Sequence, residues 1–152
     1  MKSLILILFS FTLSICYSQS DISLLKCKEF PKGSNIITLN TSDTINVAFK
    51  KIANIILDYG FTIANSDKDL YFLNTDFVSF GGYTFKTKLN IRVKENEGGG
   101  TSIIFKGEAA NFNFSMPPAN YHRKDVPNRA FAHMLSIALK YENAVISASS
   151  EN

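Results

Sequence analysis

The side chains in this sequence that could do chemistry are few and far apart. Cys27, His122 and His133 could supply sulfur or nitrogen ligands to a transition metal. A zinc site needs three or four such ligands, and they usually come in closely spaced pairs, which this sequence lacks. We therefore expect no metal site and interpret both histidines as ordinary surface or boundary residues.

The remaining polar residues do not form a catalytic pattern either. His122 and Asp125 are close in sequence, but no Gly-x-Ser-x-Gly segment would expose a nucleophilic serine. Asp67 and Asp69 stand two residues apart in a short polar segment, where carboxylates typically form turns. The three glycines at 98–100 lie between two predicted strands, so a phosphate-binding loop is not expected there. The sequence favours a protein that is not an enzyme and has no cofactor.

The first 18 residues are typical of a secretory signal peptide. Lys2 precedes a largely apolar run of 12 residues, which is too short to cross a bilayer as a helix. The small residues Cys16 and Ser18 then precede Gln19, so we expect cleavage between Ser18 and Gln19. A retained membrane anchor or a buried strand is the alternative interpretation of this segment.

The sequence also contains a pattern for a second form of export, as a lipoprotein. The segment Leu13-Ser14-Ile15-Cys16 resembles a bacterial lipobox, in which the cysteine is acylated and becomes the new N-terminus. The bulky Ile15 stands where that pattern has a small residue, which favours a soluble periplasmic or extracellular protein. Lipidation of Cys16 would instead anchor the protein to a membrane.

Composition limits what the exported chain can be. Removal of residues 1–18 leaves about 134 residues, enough for one domain with a hydrophobic core. The formal charge falls from +3 to +2 because Lys2 is lost, so the overall charge does not indicate nucleic-acid binding. Cys27 is then the single cysteine and cannot form an internal disulfide. Nothing in the sequence indicates the oligomeric state.

The periodicity predicts an α+β domain in the order β-α-β-β-β-β-α, an antiparallel sheet of about five strands with two helices on one face. We expect a lead segment at 19–34, the domain at 35–146 and a flexible tail at 147–152. The first helix follows three potential N-cap residues, Thr41, Ser42 and Asp43, and ends at Gly60. Strands are expected at 35–39, 61–65 and 70–75, and Asp125 is expected to cap the last helix, which has Pro127 in its first turn.

The longest predicted strand pair is the hairpin within residues 83–109. Apolar residues alternate along both strands, so their apolar faces must coincide, and this predicts that Leu89 lies opposite Gly107 and Ile91 opposite Phe105. The intervening residues then share the other face, with Lys88 opposite Glu108 and Arg92 opposite a further apolar residue. We interpret the basic residues of that face as a solvated surface that serves solubility, edge protection or the weak binding of an acidic partner.

The loops at the strand ends contain the most suggestive residues. If these loops meet at one end of the sheet, they could form an apolar pocket or a protein-binding patch with a basic margin. The alternative is that their aromatic residues close the core. The candidate surface consists of Phe77, Phe80, Phe112, Phe114, Met116, Tyr121, His122 and Arg123.

The segment TINVAFKKIANIILDYGFTIANSDKDLYFLNTD, residues 44–76, resembles the opening of small exported bacterial envelope domains of unknown function. In these, a helix rich in Ala, Phe, Ile and Leu ends at a Gly-aromatic pair and is followed by a strand and an acidic turn. The overall plan is similar to the TATA-binding-protein-like and helix-grip folds and to the domains of the outer-membrane assembly lipoprotein BamC. The resemblance implies an envelope role and carries no catalytic motif.

We therefore expect a non-enzymatic exported domain that binds a protein or envelope component through an open sheet face or its aromatic loops. The alternative is an apolar small molecule or lipid held between the sheet and the last helix. An interior cavity lined by Phe85, Phe105 and Phe131 would favour that alternative. Nucleic acid is not expected as a partner, and a membrane is expected only if Cys16 is lipidated.

Overall fold

The computed structural model describes residues 30–79, 85–110, 118–121 and 126–151. The predicted signal peptide, its cleavage site at Ser18 and Gln19, the lipidation candidate Cys16 and also Cys27 lie outside these residues. Several of the predicted loop residues also lie outside them, as does the predicted helix cap Asp125. These loop residues are Phe80, Phe112, Phe114, Met116, His122 and Arg123.

The described residues form a six-stranded antiparallel sheet and two helices, which confirms the predicted α+β class. The elements in chain order are β1 (Ile36–Thr41), α1 (Ile45–Asp58), β2 (Ile63–Asp67), β3 (Phe72–Thr75), β4 (Lys86–Glu95), β5 (Thr101–Ala110), α2 (Val126–Ala138) and β6 (Ala144–Ser149). The strands are ordered β2-β3-β4-β5-β1-β6 across the sheet. Neither described helix is long and apolar enough to cross a bilayer.

Helix α1 forms because its apolar residues recur at three- and four-residue steps. Ala48, Phe49, Ile52 and Ile56 are buried on one face. The helix ends as predicted at Gly60, whose φ of +99° is readily accessible only to glycine. Its start differs from the prediction: the N-cap is Thr44, which makes no side-chain capping hydrogen bond, and none of the three residues before it caps the helix.

The β4–β5 hairpin has the predicted register throughout. Leu89 pairs with Gly107 and Ile91 with Phe105, so the apolar sides of both strands coincide. β1 extends this pattern, since Ile37 lies opposite Phe105. Coincident apolar faces on adjacent strands create one continuous surface on which the helices can pack.

Both helices cover the same face of the sheet. Buried residues of α1 and α2 join the odd-numbered residues of β1, β3, β4 and β5 in a single hydrophobic core. Phe105 and Phe131 are the largest fully buried side chains of this core. Burial of apolar surface on this scale is the main force that holds such a domain together.

The structure corrects the predicted ends of the domain. Residues 147–149, predicted as tail, belong to β6, which pairs along the whole of β1 with Ile146 opposite Leu39. Phe30, predicted in the lead segment, is buried in the core with its ring 6.1 Å from that of Phe131. The domain therefore includes Phe30 and extends to Ser149, because contacts distant in sequence hold both ends.

Strand β2 lies two residues later than predicted, and β3 begins two residues later but ends at Thr75 as predicted. The turn between them occupies residues 68–71, where Tyr71 adopts a positive φ of 49°. The Asp67 side chain accepts hydrogen bonds from the backbone N–H groups of Asp69 and Leu70, both at 2.9 Å. Asp67 thus forms the turn as expected from its short carboxylate, but it does so from the last position of β2.

Candidate binding face

The face of the sheet opposite the helices is the candidate functional site. Because side chains alternate along a strand, the even-numbered residues of β1, β3, β4 and β5 point away from the core. Among the described residues, no helix packs on this side. We call it the open face. Its position follows from the sheet having only one helical layer.

A groove of about 560 Å³ crosses the middle of the open face. Its apolar residues are Ile36, Leu70, Phe72 and Ile104, and its cationic residues are Arg92, Lys94 and Lys106. The register places Phe72 beside Arg92 and Arg92 beside Ile104, so apolar and cationic side chains lie next to each other across three strands. Leu70 is 67% exposed at one end of the groove. In this open-face groove, apolar and positively charged side chains alternate across the sheet.

The open face carries a net positive charge. Its strand positions hold two carboxylates, Glu108 and Asp67, which lies opposite Phe72, and five cations: Lys86, Lys88, Arg92, Lys94 and Lys106. Lys106 forms an ion pair with Glu151, which follows β6. Arg92 and Lys94 have no hydrogen-bond or ion-pair partner among the described residues. The groove therefore contains two cations whose charge the rest of the described chain does not balance.

Lys88 and Glu108 lie opposite each other, but their side chains contact other residues. The two residues are paired across the strands as predicted. However, Glu108 accepts a hydrogen bond of 2.9 Å from the side-chain amide of Asn90. The Lys88 ammonium lies 5.8 Å from the centre of the Phe77 ring, within the range of a cation–π contact. Lys88 and Glu108 are therefore held by other neighbours on the open face.

The described residues after β3 and before α2 flank the two strands of the β4–β5 hairpin near the same end of the sheet. Val78 pairs with Thr87 at the start of β4, and Pro118 pairs with Glu108 near the end of β5. Tyr121, a predicted surface residue, packs against the core, with its ring 5.3 Å from that of Phe131. Of the predicted patch, the structure therefore places Phe77 beside the open face and Tyr121 against the core.

The interior offers less support for a ligand between the sheet and α2. Phe85, Phe105 and Phe131, the residues proposed to line such a cavity, are all buried. A Cβ atom added at Gly107 would overlap the sulfur of Met134 and lie 3.1 Å from the Ala119 Cβ. Because α2 contacts the sheet this closely at Gly107, the open face is the better candidate for binding.

A polar cluster joins the start of α1 to the chain after α2. The Tyr141 hydroxyl donates a hydrogen bond of 2.6 Å to the Asp43 carboxylate, and the Lys51 ammonium lies 3.5 Å from the same oxygen. Burial, reinforced by the bond to Asp43, raises the pKa of Tyr141. The hydrogen bond from Tyr141, with the nearby Lys51, lowers the pKa of Asp43. A phenol whose pKa is raised in this way is a poor acid, and its hydrogen bond to Asp43 ties the chain after α2 to the start of α1.

His133 lies on the helical side of the molecule, away from the open-face groove. Its Nδ1 atom is 3.3 Å from the Tyr59 hydroxyl, and its ring lies beside that of Phe85. Burial lowers the pKa of His133. Among the described residues, no three His, Cys, Asp or Glu side chains are close enough to hold a metal ion.

The lowered pKa of His133 predicts a loss of stability in mild acid. The unfolded chain takes up this proton near pH 6.5, before the folded chain does, so stability is full above that pH and falls as the pH drops below it. We expect the urea midpoint to fall between about pH 7.5 and about pH 5 by less in His133→Gln than in the wild type. Equal losses in the two proteins would show that His133 is not responsible.

The apolar half of the groove was only partly visible in the sequence. Ile104 could be placed on the open face because the register sets it opposite Arg92. The sequence does not place Ile36 and Phe72 on the open face, since each lies in a short strand whose neighbours are known only from the folded sheet. The signal that could have found them is their parity, as both alternate with the buried residues Ile37 and Leu73.

Comparison with other proteins adds no family to this description. No known family matches the sequence, and no curated protein is significantly similar to it. The resemblance to bacterial envelope domains therefore stays a prediction. The binding properties of the chain have to be inferred from its own surface.

Proposed function

We propose that this protein is a non-enzymatic, exported binding domain and that the open face is its binding surface. The observation that carries the proposal is the open-face groove. The exposed side of an antiparallel sheet is normally polar, yet here Ile36, Phe72 and Ile104 lie together on it. Apolar side chains grouped in a groove and bordered by charge are typical of a surface that a partner covers.

The positions of the titratable groups support binding over catalysis. A catalytic site usually gathers groups with shifted pKa values in one cleft. The described groups with a shifted pKa are Asp43, His133 and Tyr141, and none of them lines the open-face groove. The groove instead presents arginine and lysine, which bind anions well but are protonated and therefore poor bases at neutral pH.

Site-specific photocrosslinking of the full chain tests the proposed binding surface. Ile104 is replaced by p-benzoylphenylalanine in cells that produce the protein, and the matched control carries the same replacement at Leu57. Leu57 is 50% exposed on α1, on the opposite side of the molecule. We expect a discrete adduct from position 104 and none from position 57. Adducts of equal yield from both positions, or none from position 104, would contradict the proposal.

Export is the second part of the proposal, and it is supported by Lys2 and the apolar run that follows it. We expect the intact mass of the protein recovered from the cell envelope to correspond to a chain beginning at Gln19, without added mass. The same measurement identifies the lipoprotein form, which would begin at Cys16 and carry the mass of its acyl chains. A mass that retains residues 1–18 would refute export with cleavage.

A further inference from the structure

The geometry points to an acidic amphipathic α-helix of another protein as the partner that occupies the open-face groove. This inference rests on the proposed function, because it names the chemistry of the partner for the same surface. It follows from three properties of the groove. These are the absence of free backbone hydrogen-bonding groups in the central strands, the width of its apolar part, and the positive charge of Arg92 and Lys94.

The groove offers side chains and no free backbone groups. In the centre of a sheet, the N–H and C=O groups of β3, β4, β5 and β1 are paired with neighbouring strands. An extended peptide lying on this face would leave its own backbone groups without partners where it is buried. A helix satisfies its backbone internally and needs only side-chain contacts. The open face therefore suits a helix better than an extended chain.

The apolar part of the groove has the width of a helix. Phe72 lies on β3, Ile104 on β5 and Ile36 on β1, with Arg92 on β4 between the first two, so the apolar residues of the groove extend across three strand spacings. At about 4.8 Å per spacing this is roughly 14 Å, compared with about 10–12 Å for a helix with its side chains. A helix on this face would be the counterpart of the layer that α1 and α2 form on the other face.

The charge of the groove specifies an acidic helix. Arg92 and Lys94 project from alternate positions of β4, about 7 Å apart along the strand, and neither has a partner among the described residues. Lys106 is partly neutralised by Glu151. Arg92 lies between Phe72 and Ile104, so a carboxylate beside the apolar stripe of the helix could meet it while the stripe contacts one of these apolar side chains. Such complementarity selects the partner and accelerates its association.

A second copy of this chain does not offer such a helix among the described residues. The buried stripe of α1 is already covered by the sheet, and its outer side carries Lys50 and Lys51 with a single carboxylate, Asp58. The exposed residues of α2 include Arg129 and no acidic residue. On the described residues, we assign the groove to a different chain with a higher density of carboxylates.

A designed peptide serves as the probe. It is an acidic helix of about 18 residues, with leucine at positions i, i+3, i+4 and i+7 and glutamate on both flanks. One matched peptide has lysine in place of every glutamate, and another has the acidic composition in scrambled order. Binding to the isotope-labelled protein is measured by fluorescence anisotropy and mapped by amide chemical shifts. We expect the acidic helix alone to bind, with shifts centred on β3, β4, β5 and β1.

Charge reversal in the groove supplies the decisive comparison. Arg92→Glu with Lys94→Glu is expected to weaken binding of the acidic helix by about tenfold or more and to create binding of the basic helix. The matched variant, Lys50→Glu with Lys140→Glu, changes the net charge equally through exposed residues of the helical side and should bind as the wild type does. Circular dichroism and thermal melts show whether each variant is folded.

Several results would overturn the inference. These are equal binding of the acidic and basic helices, an equal loss in the matched variant, or a groove that binds vesicles of anionic phospholipid while the acidic helix fails. A concentration-dependent dimer that shifts the same groove residues would also overturn it. None of these results removes an adduct from position 104, so the proposed function and the identity of the partner fail separately.

Discussion

Replacing Phe105 by alanine is expected to lower the free energy of unfolding by about 3–5 kcal/mol. Phe105 is fully buried at the centre of the sheet, opposite Ile37 on one side and Ile91 on the other. Removing its ring would leave a cavity that the close-packed strands and α2 could fill only in part. The loss would be measured as the change in urea-induced unfolding. For a domain of this size it would reduce or abolish the folded population at room temperature.

Ile104 is the matched control, because it is adjacent in sequence and points to the opposite face. We expect Ile104→Thr to cost about 1 kcal/mol or less, since threonine keeps the β-branched shape and the side chain is only half-buried. The same variant should weaken binding at the open-face groove. If the two substitutions were equally destabilising, Ile104 would belong to a second core and the open face would not be exposed.

Replacing Gly100 by alanine is expected to destabilise the protein by about 2–4 kcal/mol. Gly100 has a φ of +79°, which strains any residue with a Cβ atom. The added Cβ would also lie 2.6 Å from the backbone carbonyl oxygen of Thr41. Since that oxygen belongs to β1, relief would require the β4–β5 hairpin and β1 to move apart. Thermal or urea unfolding measures the effect.

Alanine substitutions at the neighbouring glycines separate the cost of backbone strain from the cost of the contact with Thr41. Gly99 has a φ of +88° but open space around its Cβ position, so Gly99→Ala should cost about 1–2 kcal/mol from backbone strain alone. Gly98 has neither constraint, and Gly98→Ala should be neutral within about 0.5 kcal/mol. A Gly100→Ala variant no less stable than Gly99→Ala would mean that the contact with Thr41 carries no cost.

Local patterns predicted most of the fold because they are strong where the elements are long. The hairpin register followed from alternation, since a shift of one residue would put Leu89 and Ile91 into water. Helix α1 followed from its period and from Gly60. β6 could not be predicted in the same way. Its sequence, AVISAS, is short and rich in small residues, and it is a strand because β1 has a second edge to pair with.

The sequence predicted only the part of the candidate site that lies on the β4–β5 hairpin. The cations of β4 and their common face were visible in the sequence, as was Ile104 opposite Arg92. The contribution of Phe72 and Leu70 was not, because β3 and the turn before it lie beside β4 only through pairing distant in sequence. The sequence indicates the aromatic loop residues more strongly than the sheet face, yet Tyr121 packs against the core.

The sequence by itself determined which residues of each long element face the core, because a buried face must be continuous and the periods of helix and strand are fixed by backbone geometry. Only the tertiary structure decided the order of the strands, and with it which exposed residues become neighbours. The strand order brings Phe72, Arg92, Ile104 and Ile36 into one groove, although they are dispersed over 69 positions of the chain. The binding surface is therefore a product of nonlocal pairing, and a pattern within one strand cannot show it.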